Sequence, residues 1–162
     1  MDFGEFVTRH LPRLPSKPHA NEDELRRLRS EDGVRLLDAP PPEATERHVP
    51  AKRGDPGCHL WVIDGSGMPY ILERAPVAPP LKSGTVKHTN LTGGAAASAG
   101  GEIWFDPAED HRVYVNGCSG RYVPRTPQEM DDVAAAVQGL GYEVVNFGWE
   151  ADTNRPAAVL RK

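Results

Sequence analysis

Two glycine-punctuated segments carry the chain's densest set of hydrogen-bonding side chains. The first is Lys87-His88-Thr89-Asn90-Leu91-Thr92-Gly93-Gly94, which runs into the small-residue stretch 95–101. The second is Asn116-Gly117-Cys118-Ser119-Gly120-Arg121-Tyr122-Val123-Pro124. Glycines beside polar side chains let backbone amides approach a ligand closely. Arg121 offers a bidentate anchor for phosphate or carboxylate, Tyr122 a flat ring, and His88 a donor for a sugar hydroxyl. Thr89, Asn90 and Ser119 complete the polar set. The expected site is one pocket in which His88 and Tyr122 face a ligand, with Arg121 or Ser119 at its edge. Taken singly, each residue has a plainer reading: the glycines serve tight turns and His88 is a satisfied structural histidine.

Further along, Trp149 sits between Gly148 and Glu150, where an indole can stack on a base or sugar at a rim. Trp104, between Ile103 and Phe105, reads as core, and Asp131 and Asp132 as a solvated helix face. There is no phosphate loop ending in Lys-Ser/Thr, no strand-coupled dinucleotide fingerprint and no Gly-x-Ser-x-Gly elbow. The six histidines are scattered, none spaced with a cysteine or another histidine as zinc motifs are, so no metal is expected.

The runs His88-Thr89-Asn90-Leu91-Thr92-Gly93-Gly94, Ala99-Gly100-Gly101-Glu102 and Ser119-Gly120-Arg121-Tyr122-Val123-Pro124 resemble a pattern in the plant IQ-motif calmodulin-binding proteins. There His-Ser-Ser-Phe-Leu-Ala-Gly-Gly is followed by Ala-Ala-Gly and Ser-Gly-His-Tyr-x-Pro. The likeness covers residues 88–124 and implies a common module. Arg121 stands where that family has His, and no IQ-type basic helix is present, so calmodulin binding is not implied. The order His88, Tyr122, Glu150 is in turn similar to that of some ADP-ribosyltransferases. It implies His88 on the ribose, Tyr122 on nicotinamide, Glu150 beside an oxocarbenium-like transition state, and NAD as cofactor.

The elements that would position these residues fall into two parts. Residues 1–57 read as a peripheral approach. Asp2–Leu11 suits a short amphipathic helix, and Asn21 with Glu24 opens a short charged helix through about Ser30. Pro12, Pro15, Pro18, Pro40, Pro41, Pro42 and Pro50 interrupt the region. Residues 58–162 read as a single α+β domain. Strands are expected at His59–Ile63, Met68–Glu73, Thr85–Leu91, Glu102–Asp106, Arg112–Asn116 and Tyr142–Phe147, with a last edge strand over Pro156–Leu160. Thr126, Pro127 and Glu129 form a helix start, and Gly139 and Gly141 a stop, around Met130, Val133, Ala134, Val137 and Leu140. The sum is a mostly antiparallel sheet with one main packed helix.

With 162 residues the chain fits one domain. A net charge of −4 makes nucleic acid an unfavoured partner, because phosphate binding needs a basic footprint. No apolar run is long enough to cross a bilayer. The first residues carry Asp2, Glu5, Arg9 and Arg13, unlike a secretory signal, so a cytoplasmic setting with Cys58 and Cys118 as thiols is expected. Two functional classes remain: a binding domain for a small polar ligand, including a glycosyl- or ADP-ribosyl-transferase-like enzyme or toxin domain, and a non-catalytic immunity or adaptor module that docks a protein partner.

Overall fold

The run His59–Ile63 is buried at every position, as a strand must be when both sheet faces are covered. In the computed structural model, which describes residues 1–44 and 46–159, it lies inside a six-stranded sheet. From edge to edge the strands are β1 (Arg35–Leu36), β3 (Pro69–Leu72), β2 (His59–Ile63), β4 (Ala99–Phe105), β5 (Arg112–Asn116) and β6 (Glu143–Asn146). All neighbours are antiparallel except β5 and β6. That pair is parallel because helix α3 (Pro127–Gln138) carries the chain back to the starting end. Helix α1 spans Phe3–Arg9 and the single turn α2 spans Thr89–Thr92. A separate ribbon pairs β7 (Trp149–Glu150) with β8 (Arg155–Pro156). The expected α+β class, with a mostly antiparallel sheet and one main packed helix, is what forms.

Strand alternation sorts the core into two layers. Trp61, Ile63, Tyr70, Ile103, Phe105, Val113 and Val115 project to one face, where Met130, Val133 and Val137 of α3 and Phe6 of α1 cover them. Leu60, Val62, Ile71, Trp104 and Tyr114 project to the other, beneath Leu28, Val77, Leu81, Val86 and Leu91 from largely irregular chain.

Helix α3 begins as its sequence dictates: Thr126 Oγ1 accepts from Glu129 N at 3.0 Å, with Pro127 in the first turn. The Glu129 carboxylate reaches back to Arg125 N at 3.1 Å. The helix ends at Gln138, where expected: Gly139 caps it with helical angles and Gly141 takes the left-handed conformation.

Several expectations need correction. Thr85–Leu91 is not a strand. Asn90 Oδ1 accepts from Lys87 N at 2.9 Å and folds the segment into a turn leading to α2, overriding its β-branched residues. The 21–30 helix is two short 3₁₀ turns, Glu22–Leu25 and Ser30–Asp32. Residues 1–57 are no mere approach to the core. Phe6 is fully buried, Leu28 and Leu37 nearly so, and β1 extends the sheet. Asp132 is buried as well and accepts from His10 Nε2 at 2.7 Å and Arg9 Nη1 at 3.3 Å, so it locks α1 onto α3. Burial pushes its carboxyl up, but the bonds from His10, Gln128 and Arg9 outweigh that and hold it below the usual range. At the C-terminal end the strand is Arg155–Pro156, so only Pro156 of the expected Pro156–Leu160 edge strand is in it, and Leu160 lies outside the described residues.

Candidate functional site

β5 pairs with β4 only from Glu102 to Phe105, so the start of β4 finds its partners in loops. Gly100 N donates to Tyr122 O at 2.7 Å, and Glu102 N donates to Asn116 Oδ1 at 3.0 Å. The His88 ring donates from Nε2 to Gly101 O at 2.9 Å. A carbonyl can only accept, so Nε2 carries the proton and Nδ1 is left as a lone-pair acceptor. A Cβ on Gly100 would lie 3.2 Å from His88 Cδ2, Ser119 Oγ and Tyr122 Cβ, so the two glycine-rich segments meet over this residue. At Gly101 a Cβ would strike Asn116 O and come within 2.6 Å of the Trp61 ring. At Gly101 only glycine permits the approach, and at Gly100 a side chain would have to push its neighbours back by a few tenths of an ångström.

Beside this junction opens a cleft of about 1190 Å³. His88, Ser119 and Arg121 line it, as does Glu150 from the β7–β8 ribbon. Burial, aided by Arg121 and Lys87, lowers the His88 pKa to about 4 against the pull of the Gly101 bond, so its imidazole is neutral near pH 7. Ser119 Oγ accepts from Tyr122 N at 2.9 Å and Arg121 N at 3.2 Å, which fixes the loop's shape. Glu150 accepts from Thr153 Oγ1 at 3.4 Å.

The other expected ligand contacts are used within the fold. Tyr122 is fully buried, and its hydroxyl lies 2.8 Å from Thr92 Oγ1 and 2.7 Å from Ala95 O. No ring face is left for nicotinamide or any other ligand, so the catalytic role expected of Tyr122 is corrected to a core contact. The Arg121 guanidinium donates to Lys17 O, Pro18 O and Glu24 Oε1, tying the N-terminal segment to the domain. Asn90 does the same through Asp23 O and Arg26 O, both at 2.9 Å, and does not reach the cleft. Thr89 is buried and faces a separate cavity of about 490 Å³ with Lys17 and His19. Trp149 is half-buried, donates to Asn154 Oδ1 at 3.2 Å, and is not among the cleft residues.

Sequence reading passed over Glu73, Glu102, Cys58 and Asn116. Glu73 and Glu102 line the cleft, and Cys58 Sγ donates to Glu102 Oε2 at 3.2 Å. Asn116 is fully buried: Oδ1 accepts from Glu102 N and Cys118 N, while Nδ2 donates to Glu102 Oε1 and Ala158 O. One signal was available, since Glu102 is the single charge in the apolar strand Ala99–Phe105.

Comparison with family models, curated proteins and solved structures finds no match to this chain.

Proposed function

We propose that the cleft binds a small polar ligand bearing negative charge, of the phosphate-ester class to which nucleotides belong. The observation that carries this reading is charge segregation. In a chain of net charge −4, the cleft is lined by Lys17, Arg53, Lys87, Arg121, Arg125 and Arg155 against four carboxylates, Glu24, Glu73, Glu102 and Glu150. Arg121 is paired with Glu24 at 3.2 Å and Arg125 with Glu129 at 3.4 Å, and the remaining cations Lys17, Arg53, Lys87 and Arg155 still outnumber Glu73, Glu102 and Glu150. A concave, water-filled surface with such an excess concentrates anions. Neutral His88 adds an acceptor for a ligand hydroxyl. Catalysis by His88, Tyr122 and Glu150 acting together forms no part of the proposal, because Tyr122 is sealed.

ADP-ribose, with adenosine as the uncharged control, is a suitable probe. Titration should shift the amide resonances of Lys87, His88, Ser119 and Arg125 with ADP-ribose and not with adenosine. Lys87→Ala and Arg155→Ala should each weaken that binding by about tenfold, and added salt should weaken it further. Equal responses to both probes, or none to either, would overturn the reading.

A further inference from the structure

We propose that Cys58, Glu73 and Glu102 form a binding site for one divalent metal ion of the zinc class on the wall of the cleft. Cys58 immediately precedes β2, Glu73 immediately follows β3 and Glu102 lies in the middle of β4, and one ligand atom from each lies within 4.8 Å of the other two. Cys58 Sγ and Glu102 Oε2 are already 3.2 Å apart. Tetrahedral zinc with one sulfur and two oxygens holds its ligands roughly 3.4–3.6 Å apart. A small rotation of the half-buried Glu73 side chain closes the remaining gap.

Two further observations favour a cation here. Glu73 and Glu102 stand together with no salt bridge to either among the described residues, and the Glu73 carboxylate has no hydrogen bond there. Lys87, whose charge bears on Glu73, places its Nζ on Thr85 Oγ1 at 3.3 Å. Secondly, Asn116 Nδ2 holds Glu102 Oε1 at 3.0 Å and leaves Oε2 turned to Cys58, the support that metal-ligating carboxylates receive.

The donor set selects the ion. A thiolate with two carboxylates suits zinc and its spectroscopic substitute Co²⁺, whereas Mg²⁺ and Ca²⁺ take oxygen alone. Binding displaces the Cys58 proton to solvent as the sulfur–metal bond forms, so affinity rises with pH. Three protein ligands leave a fourth position, which the cleft can fill with water or a ligand atom. The histidine and cysteine spacings of known motifs do not reveal this set, because three segments far apart in sequence supply it.

The test uses the full chain, stripped with chelator and titrated with Co²⁺ and then Zn²⁺ in the absence of any organic ligand. One equivalent of Co²⁺ should give a thiolate charge-transfer band that Zn²⁺ abolishes. Cys58→Ser should remove the band, and Glu73→Gln should weaken binding about 100-fold or more while melting like the wild type in chelator. Cys118→Ser should leave both unchanged. Absence of the band in the wild type, or an unchanged affinity in Glu73→Gln, would overturn the site. Because no anion is present, either result leaves the ADP-ribose experiment to be judged separately.

Discussion

The two faces of the sheet are built from the same strands and end up chemically opposite. One is closed by α1 and α3, whose apolar stripes seal Trp61, Ile103 and Phe105 away from water. The other is covered by irregular chain from residues 22–34 and 73–98 together with the 117–124 loop, and there Glu73, Glu102, His88 and Ser119 border a solvent-filled cleft. Helices satisfy their own backbone and can present an apolar face without gaps. Loops must find partners for their amides and carbonyls, so they bring polar groups with them. Polar side chains that border the cleft collect on the face that α1 and α3 do not cover.

The sharpest way to break this contrast is on the helical face. Phe6→Ala should cost about 3–5 kcal/mol, since the ring is fully buried between α3 and the sheet. Urea unfolding measures the loss, and ADP-ribose binding by the folded fraction should be unaltered. A cost under about 1 kcal/mol would mean that α1 is the peripheral element the prolines suggest.

Each face also buries one neutral histidine: His59 against Tyr70 and Phe105, and His88 beside the cleft. Burial lowers both pKa values to about 4. The unfolded chain protonates these groups from about pH 6.5 downward while the native state does not, so each erodes stability by roughly 1.4 kcal/mol per pH unit between about pH 6.5 and 4. Their contribution is complete above that window and lost through it. Denaturant midpoints measured from pH 7.5 to 5 should fall accordingly, and His88→Gln should flatten the slope by about half. An unchanged slope would show that the cleft lets His88 titrate as in water.

On the cleft face, Asn116→Ala should cost about 1–3 kcal/mol by leaving the Glu102 and Cys118 amides and the Ala158 carbonyl unpaired. The same variant should weaken Co²⁺ binding by about 10–100-fold, which a purely structural Asn116 would not do. The smallest expected effect is that of Glu73→Gln on metal-free protein, within about 0.5 kcal/mol of wild type by thermal melt. A marked destabilisation would mean that the Glu73 charge is balanced by a neighbour and not by a bound ion.

Much of the scaffold is legible from residue pattern. The apolar run 59–63 and the Thr126-Pro127-Glu129 helix start each rest on contacts within a few positions, which local sequence contains. The failures share a different cause. Thr85–Leu91 has a strand's composition, yet the Asn90 side chain bonds backbone on both sides of it, to Lys87 N and to the 23–26 turn. The short N-terminal elements look peripheral by composition, but Phe6 is fully buried and His10 pairs with Asp132 across more than a hundred residues.

The candidate site divides along the same line. Sequence by itself determined that polar side chains would sit beside glycines in two segments, of which Gly93 and Gly94 answer to local backbone needs. It also determined that Glu102 would interrupt an apolar strand. Which of the polar groups face solvent was decided by tertiary structure alone. Tyr122 turns inward to Thr92, Arg121 is claimed by Glu24 and two carbonyls, and Glu73 joins Glu102 and Cys58. A side chain's role depends on who else reaches its hydrogen-bonding atoms. Those neighbours are set by sheet register and loop closure, quantities that no short window of residues contains.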